Sequence, residues 1–260
     1  MATTFTAYFI QCITNLHAGS GDTNYSIIDK SVQRDPITNY PTIHASSLKG
    51  ALREHFENNS MHKVDIDAIF GKEGKDGTDS ESGTHRFLNA DLVALPVRCT
   101  HKQFALGFDK TSSDFVNTKA VNILGKDKKI FSLTVDEETD KIYGNATGDV
   151  YAEDIKLIPS PFANPFGIEQ QLINDQFATF QNKNFETLTK NLPVIARNRL
   201  GENNNLWYEE IVPHQTIFIT FIGASEEDDT FNTALTSELI QIGANASVGY
   251  GLCKFIKINL

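Results

Sequence analysis

His17 opens a short loop of small residues, HAGSG (17–21), and a lone carboxylate, Asp29, follows twelve residues later. Further on, Lys49 and Arg53 stand four apart in SSLKGALR. Glycine lets backbone N–H groups approach an oxyanion closely, so Gly19, Ser20 and Gly21 form a candidate phosphate cradle. A helix starting near Ser46 or Ser47, with Lys49 and Arg53 on one face, is a second anion site. Each feature also has a plainer reading. HAGSG is too short for a dinucleotide fingerprint and lacks the lysine of a Walker loop, so alone it reads as a tight turn. Lys49, Arg53 and Asp29 read equally well as solvated charges, and His17 as a buried, hydrogen-bonded histidine.

A second glycine loop, IGANASVGYG (242–251), brings Gly243, Asn245 and Gly249 to the start of the last strand. The first loop leaves the first strand, and these two strands are neighbours in a split βαβ sheet, so both loops would share one edge. Glu209 and Glu210 are adjacent in LWYEE (206–210). In an extended chain they point to opposite faces, so at most one of them shares a site with Asp29.

These residues need a scaffold. Alternation predicts strands at 4–16, 91–99, 216–224 and 251–260, and helical spacing predicts helices from Ser46 or Ser47 and over 231–243. The order strand, helix, strand, then strand, helix, strand is that of a ferredoxin-like split βαβ domain, an α+β fold. Residues 58–86 read as an insertion with a short helical pattern and a Gly/Asp/Ser-rich loop. The polar, broken passage from about 110 to 210 ends in two apolar runs around RLGENNN, which predicts a long β-hairpin standing off the core.

The formal net charge of −10 argues against nucleic acid only if read globally, because acid is concentrated in VDEETD (135–140) and SEEDDT (225–230). From His17 to Phe56 the charges sum to zero, which permits an anionic ligand. Three scattered cysteines without a CxxC pair exclude a disulfide framework and a structural zinc knuckle. With no basic leader and no long apolar run, the expectation is a reduced intracellular compartment with no membrane partner.

The run HAGSG…IIDKSVQRDPITNYPTIHASSLKGALR, then IFGKEG, NADLVALPVR, NLWYEEIVP and QIGANASVGYGL, resembles the RAMP-superfamily backbone subunit of type III-B CRISPR effector (Cmr) complexes. The blocks keep the same order over nearly the full length, and residues 111–190 carry the least of the likeness. The resemblance implies a single RAMP domain with a ferredoxin-like, RRM-related core (about 1–56, 87–110 and 211–260). An inserted lobe (about 57–86) and an insertion ending in a protruding thumb hairpin (about 111–210) complete it.

It implies copies stacked as a helical filament on a CRISPR guide RNA, with other type III-B subunits. Thumbs would wedge between bases of the guide–target duplex, and target single-stranded RNA would be cut at about six-nucleotide intervals. Carried over, the resemblance implies Asp29 as the catalytic and metal-binding aspartate, with a divalent ion, Mg2+ or Mn2+. His17 and Glu209 or Glu210 join it in the site. Ser47, Lys49 and Arg53 would grip guide phosphates, and Arg197 and Arg199 in the thumb would hold backbone. A prokaryotic cytoplasm follows. Two readings compete: a non-catalytic RNA-binding filament subunit, and a metal-independent guide-processing ribonuclease with His17 as base.

Overall fold

The computed structural model describes residues 3–21, 28–59, 63–72, 74, 80–161, 164–166, 177–199, 205–225 and 228–260. The aromatic and β-branched run TFTAYFIQC forms β1 (Thr4–Cys12). A two-residue strand β2 (Thr42–Ile43) precedes α1 (Ala45–Asn58), whose Leu48, Leu52 and Phe56 recur at helical spacing and are buried. The inserted stretch carries α2 (Lys63–Phe70) and the paired β3 (Gly71–Lys72) and β4 (Glu81–Ser82). Next come β5 (Arg86–Phe87), β6 (Ala90–Arg98), β7 (Phe104–Asp109) and α3 (Lys110–Leu124). Short strands β8 (Lys141–Tyr143), β9 (Val150–Ala152), β10 (Ile155–Ser160) and β11 (Phe177–Phe180) lead to α4 (Asn182–Lys190). The hairpin β12 (Val194–Arg199) and β13 (Asn205–Glu210) follows. The chain closes with β14 (Ile217–Ala224), α5 (Asp229–Ser237), β15 (Leu239–Gln241) and β16 (Leu252–Lys257).

One large sheet runs in the order β15-β16-β1-β14-β6-β7-β11-β8-β10-β9. β1 lies antiparallel between β14 and β16, so the first and last strands are neighbours as expected. Alternation along β1 splits its side chains between two cores. Tyr8, Ile10 and Cys12 pack with Leu48, Leu52 and Phe231 under α1 and α5. Ala7 and Phe9 pack with Val116, Phe131 and Phe166 on the α3 side. Most of the phenylalanines fill these layers. The hairpin β12–β13 forms its own two-stranded sheet.

Three expectations change. The helix expected over 231–243 ends at Ser237; Glu238 is extended and Leu239–Gln241 pairs with β16. Burial of Ile240 on the sheet overrides the helical pattern. Helix α1 is capped by His44 rather than Ser46 or Ser47. The N–H groups of His44 and Ala45 donate to Gln33 Oε1 (2.7 Å) and Asn89 Oδ1 (2.9 Å), so side chains distant in sequence fix the helix start. The passage from 110 is also more regular than its polarity suggests. Helix α3 opens on a capping box between Asp109 and Ser112, and β8 to β11 extend the main sheet.

Candidate functional site

Residues 28–34 cross the front of the site as an extended bridge. On one side Gly19 and Val32 form an antiparallel bridge, and Gln33 N donates to Ala18 O at 2.8 Å. On the other, Lys30 and Glu209 form a parallel bridge, tying the segment to β13 of the hairpin. Gln33 is buried and reaches three ways: its Nε2 donates to Gly19 O (3.1 Å) and Ser47 Oγ (2.8 Å), and its Oε1 accepts from His44. One short segment thus draws the first glycine loop, the start of α1 and the hairpin base together.

Asp29 lies on this bridge with an exposed side chain. Its Oδ2 accepts from Tyr208 N at 2.7 Å, and its own N–H donates back to Tyr208 O at 3.0 Å. The aspartate is therefore positioned by the backbone of the hairpin while its carboxylate faces outward.

Glu209 and Glu210 behave differently: both are buried, at 1% and 4% exposure. Their side chains do point to opposite sides. Glu209 Oε2 accepts from Arg197 Nε (2.9 Å) and Asn245 Nδ2 (2.8 Å), and its Oε1 stands 3.5 Å from His17 Nε2. Glu210 Oε1 pairs with Arg34 Nη2 at 2.5 Å and its Oε2 accepts from Val32 N at 3.0 Å. His17 is buried too, with Nδ1 donating to Glu210 O at 2.7 Å. Its Nε2 faces Glu209 Oε1 without a hydrogen bond, and the residue is only 4% exposed, which leaves little of the ring open to a substrate. That weighs against a His17 general base.

The second glycine loop packs onto the first. Gly243 has φ +77°, and a Cβ there would lie 2.4 Å from His17 O, so only glycine permits the approach. Asn245 and Gly249 are both left-handed; Gly249 and Gly21 meet open space. Arg197 also stacks its guanidinium 4.5 Å from the Tyr250 ring centroid, joining the hairpin to the second loop. Arg197, Asn245 and Gly243 thus hold the fold around Glu209 and His17 in the free chain, with Arg197 and Asn245 half-buried and Gly243 exposed. Arg53 is similarly occupied, contacting Glu57, Asp67 and the Gly71 carbonyl, and so tethers α1 to α2. Lys49 makes no ion pair among the described residues. The Arg199 side chain and the hairpin tip at 200–204 lie outside the described residues, as does the loop at 22–27.

The bridge residues Gln33 and Arg34 were not singled out from the sequence. Arg34, in SVQRDP, is by sequence one of four lysines and arginines between His17 and Phe56. Its pairing with an acid at the far end of the chain leaves no local signal.

Among the described residues, no group of three or more His, Cys, Asp or Glu side chains is arranged to hold a metal ion. No helix among them is long and apolar enough to cross a membrane.

The sequence profile of the RAMP superfamily matches residues 9–254. The chain belongs to the RAMP superfamily. A relative from Pyrococcus furiosus, CRISPR system Cmr endoribonuclease Cmr4, is 27% identical, with 95% of this chain and 92% of the relative covered. The fold matches a type III-B Cmr-beta complex bound to cognate target RNA with a TM-score of 0.77 at 21% identity, covering 97% of this chain and 96% of the other. It also matches oligomeric Cmr4 from Pyrococcus furiosus with a TM-score of 0.74 at 20% identity, covering 99% of both.

Proposed function

We propose that this chain is the RNA-binding backbone subunit of a type III-B CRISPR effector complex, polymerising along a guide RNA and cutting the complementary target RNA. The observation that carries the reading is Asp29: an exposed carboxylate fixed on the hairpin by two contacts with the Tyr208 backbone, on a segment that also pairs with the first glycine loop. The Cmr4 relative is named an endoribonuclease, and one matching structure is of a Cmr-beta complex bound to cognate target RNA, which supports the reading. The antiparallel order β16-β1-β14-β6, with α1 and α5 on one face, supports a ferredoxin-like, RRM-related core. The separate ribbon β12–β13 supports the thumb.

Cleavage of RNA by its own 2′-OH needs the attacking oxygen, phosphorus and leaving oxygen nearly in line, which a continuous A-form helix prevents. A hairpin that opens one base pair exchanges stacking for protein contact at roughly a few kcal/mol per step and frees the nucleotide to reach that geometry. Exposed Leu206 and Tyr208 are the apolar surfaces available for this. Asp29 sits at the hairpin's root, so wedge and cut would share one rigid element.

A single protein carboxylate fits a divalent ion such as Mg2+ that completes its shell with substrate phosphate oxygens and water. When bound, it would offset charge developing on the phosphate. Glu209 and Glu210, already engaged by arginines, would position rather than ligate.

The test is to assemble the protein with guide RNA and map cut ends on targets of unrelated sequence. Cuts at a constant spacing of about six nucleotides, independent of base identity, are expected from the wedge. A complex that binds target and never cuts would favour the non-catalytic filament subunit.

A further inference from the structure

We propose that Arg34 and Glu210 form a positioning clamp for Asp29, without touching the RNA bond that is cut. This rests on the reading of Asp29 as the cleaving carboxylate.

Arg34 is a largely buried guanidinium, its side chain 18% exposed, and two of its three hydrogen-bond partners lie far away in sequence. Nη1 donates to Asn39 O (2.9 Å) and to Thr189 O (3.0 Å) at the end of α4, and Nη2 donates to Glu210 (2.5 Å). The second oxygen of Glu210 takes the Val32 N–H at 3.0 Å. One carboxylate therefore holds the bridge at two points, residues 32 and 34, directly after Asp29. The Glu210 N–H also donates to Lys30 O at 2.9 Å. The backbone from 28 to 34 is thereby laced along β13, so the Asp29 carboxylate moves only as the hairpin base moves.

A buried ion pair is weak evidence of stabilisation, since apolar replacements of both partners are often neutral. Its geometric consequence is specific here. A planar fork with fixed donors sets direction as well as distance, which lysine cannot reproduce. Displacement of a reacting group by about 1 Å costs on the order of a hundredfold in rate. Asp29, held by one side-chain hydrogen bond and its own N–H, depends on the bridge for that precision.

The experiment separates positioning from folding. Arg34→Met alone leaves Glu210 buried and unpaired, and is expected to lower thermal stability. The double variant Arg34→Met with Glu210→Met removes both charges and should recover much of that loss. In assembled complexes, single-turnover cleavage by the double variant is expected to stay down by about ten- to a hundredfold, with target affinity within a few-fold of the parent. Arg34→Lys should fall between. Cleavage that returns to within about twofold of the parent as stability returns would show the pair to be structural only and overturn the clamp. Amide hydrogen exchange at Lys30 and Tyr208 gives a second readout, independent of chemistry. Faster exchange in the double variant supports the clamp, and unchanged exchange overturns it. Asp29→Ala, run beside these, distinguishes the two failures: full cleavage there removes the reading of Asp29 and leaves the exchange result to judge the clamp.

Discussion

Two sets of carboxylates meet at the root of the β12–β13 hairpin, and they have opposite fates. Glu209 and Glu210 are buried: Glu210 has both oxygens bonded, and Glu209 has Oε2 held by Arg197 and Asn245 while Oε1 faces His17 without a hydrogen bond. Asp29, bonded to the residue just before them, is exposed. A buried charge needs compensating partners, and each partner takes up capacity to bind anything else. An exposed one keeps its oxygens for a ligand. The comparison shows two buried acids engaged within the fold and one exposed acid beside them, which is the division that the proposed function requires.

The sharpest way to break that division is Asp29→Ala. Target cleavage is expected to fall by at least about a hundredfold, while target binding, dominated by phosphate contacts, stays within a few-fold. Cleavage assays beside filter-binding on the same preparation decide it, and undiminished cutting removes Asp29 from the site.

Shortening the hairpin tests whether wedge and anchor are separable. Leu192 is buried in the main core and Arg197 pairs with Glu209, so replacing all of 192–207 would damage the base. Replacing 198–206 with a Gly-Ser turn spares those contacts. Periodic cutting should disappear while the circular-dichroism spectrum and melting stay near the parent's.

Glu209→Ala should act on stability. It strands Arg197 and removes the acceptor for Asn245, a loss of about 3 kcal/mol expected for breaking a buried pair. Glu209→Gln should cost less, since an amide oxygen still accepts one of the two bonds. Denaturant melts of the three proteins measure this; equal stability would mean that the buried network contributes only geometry.

Lys49 and Arg53, grouped by their spacing, should also separate. Lys49→Glu is expected to weaken guide RNA binding and lower the salt slope by about one. Arg53→Ala should instead loosen α2, costing about 1 kcal/mol or less for a partly exposed pair. An identical salt slope for Lys49→Glu and the parent would make that face plain surface.

The smallest expected effect is with pH. Burial lowers the pKa values of His55 and His85, against the opposing pull of Glu238 and Asp228. Depressed values mean that the folded state resists protonation. Their contribution is present above the ordinary histidine value and is lost as pH falls through the lowered ones. Melting temperature should therefore decline from about pH 7 to about pH 5, and less steeply in His85→Leu. A decline that is equally steep in this variant would place its cause elsewhere.

By itself the sequence determined what depends on local pattern. Alternation in TFTAYFIQC and TIFITFIGA identified the central strands, and the spacing of Leu48, Leu52 and Phe56 identified the buried face of α1. The turn-rich tip between two apolar runs identified the hairpin. The motif blocks set Asp29, His17 and Glu209 or Glu210 side by side only as an expectation. Helix α3 was less legible because its Ser, Thr, Asn and Val residues are indifferent helix formers, and its stability comes from the Asp109 cap and from packing. Tertiary structure alone decided which charges are spent. Arg34 finds Glu210 across 176 positions of chain, and Gln33 meets Ser47 and Gly19 through an interior that no periodicity describes. A side chain's chemistry is set by its type, but its availability is set by what burial places against it.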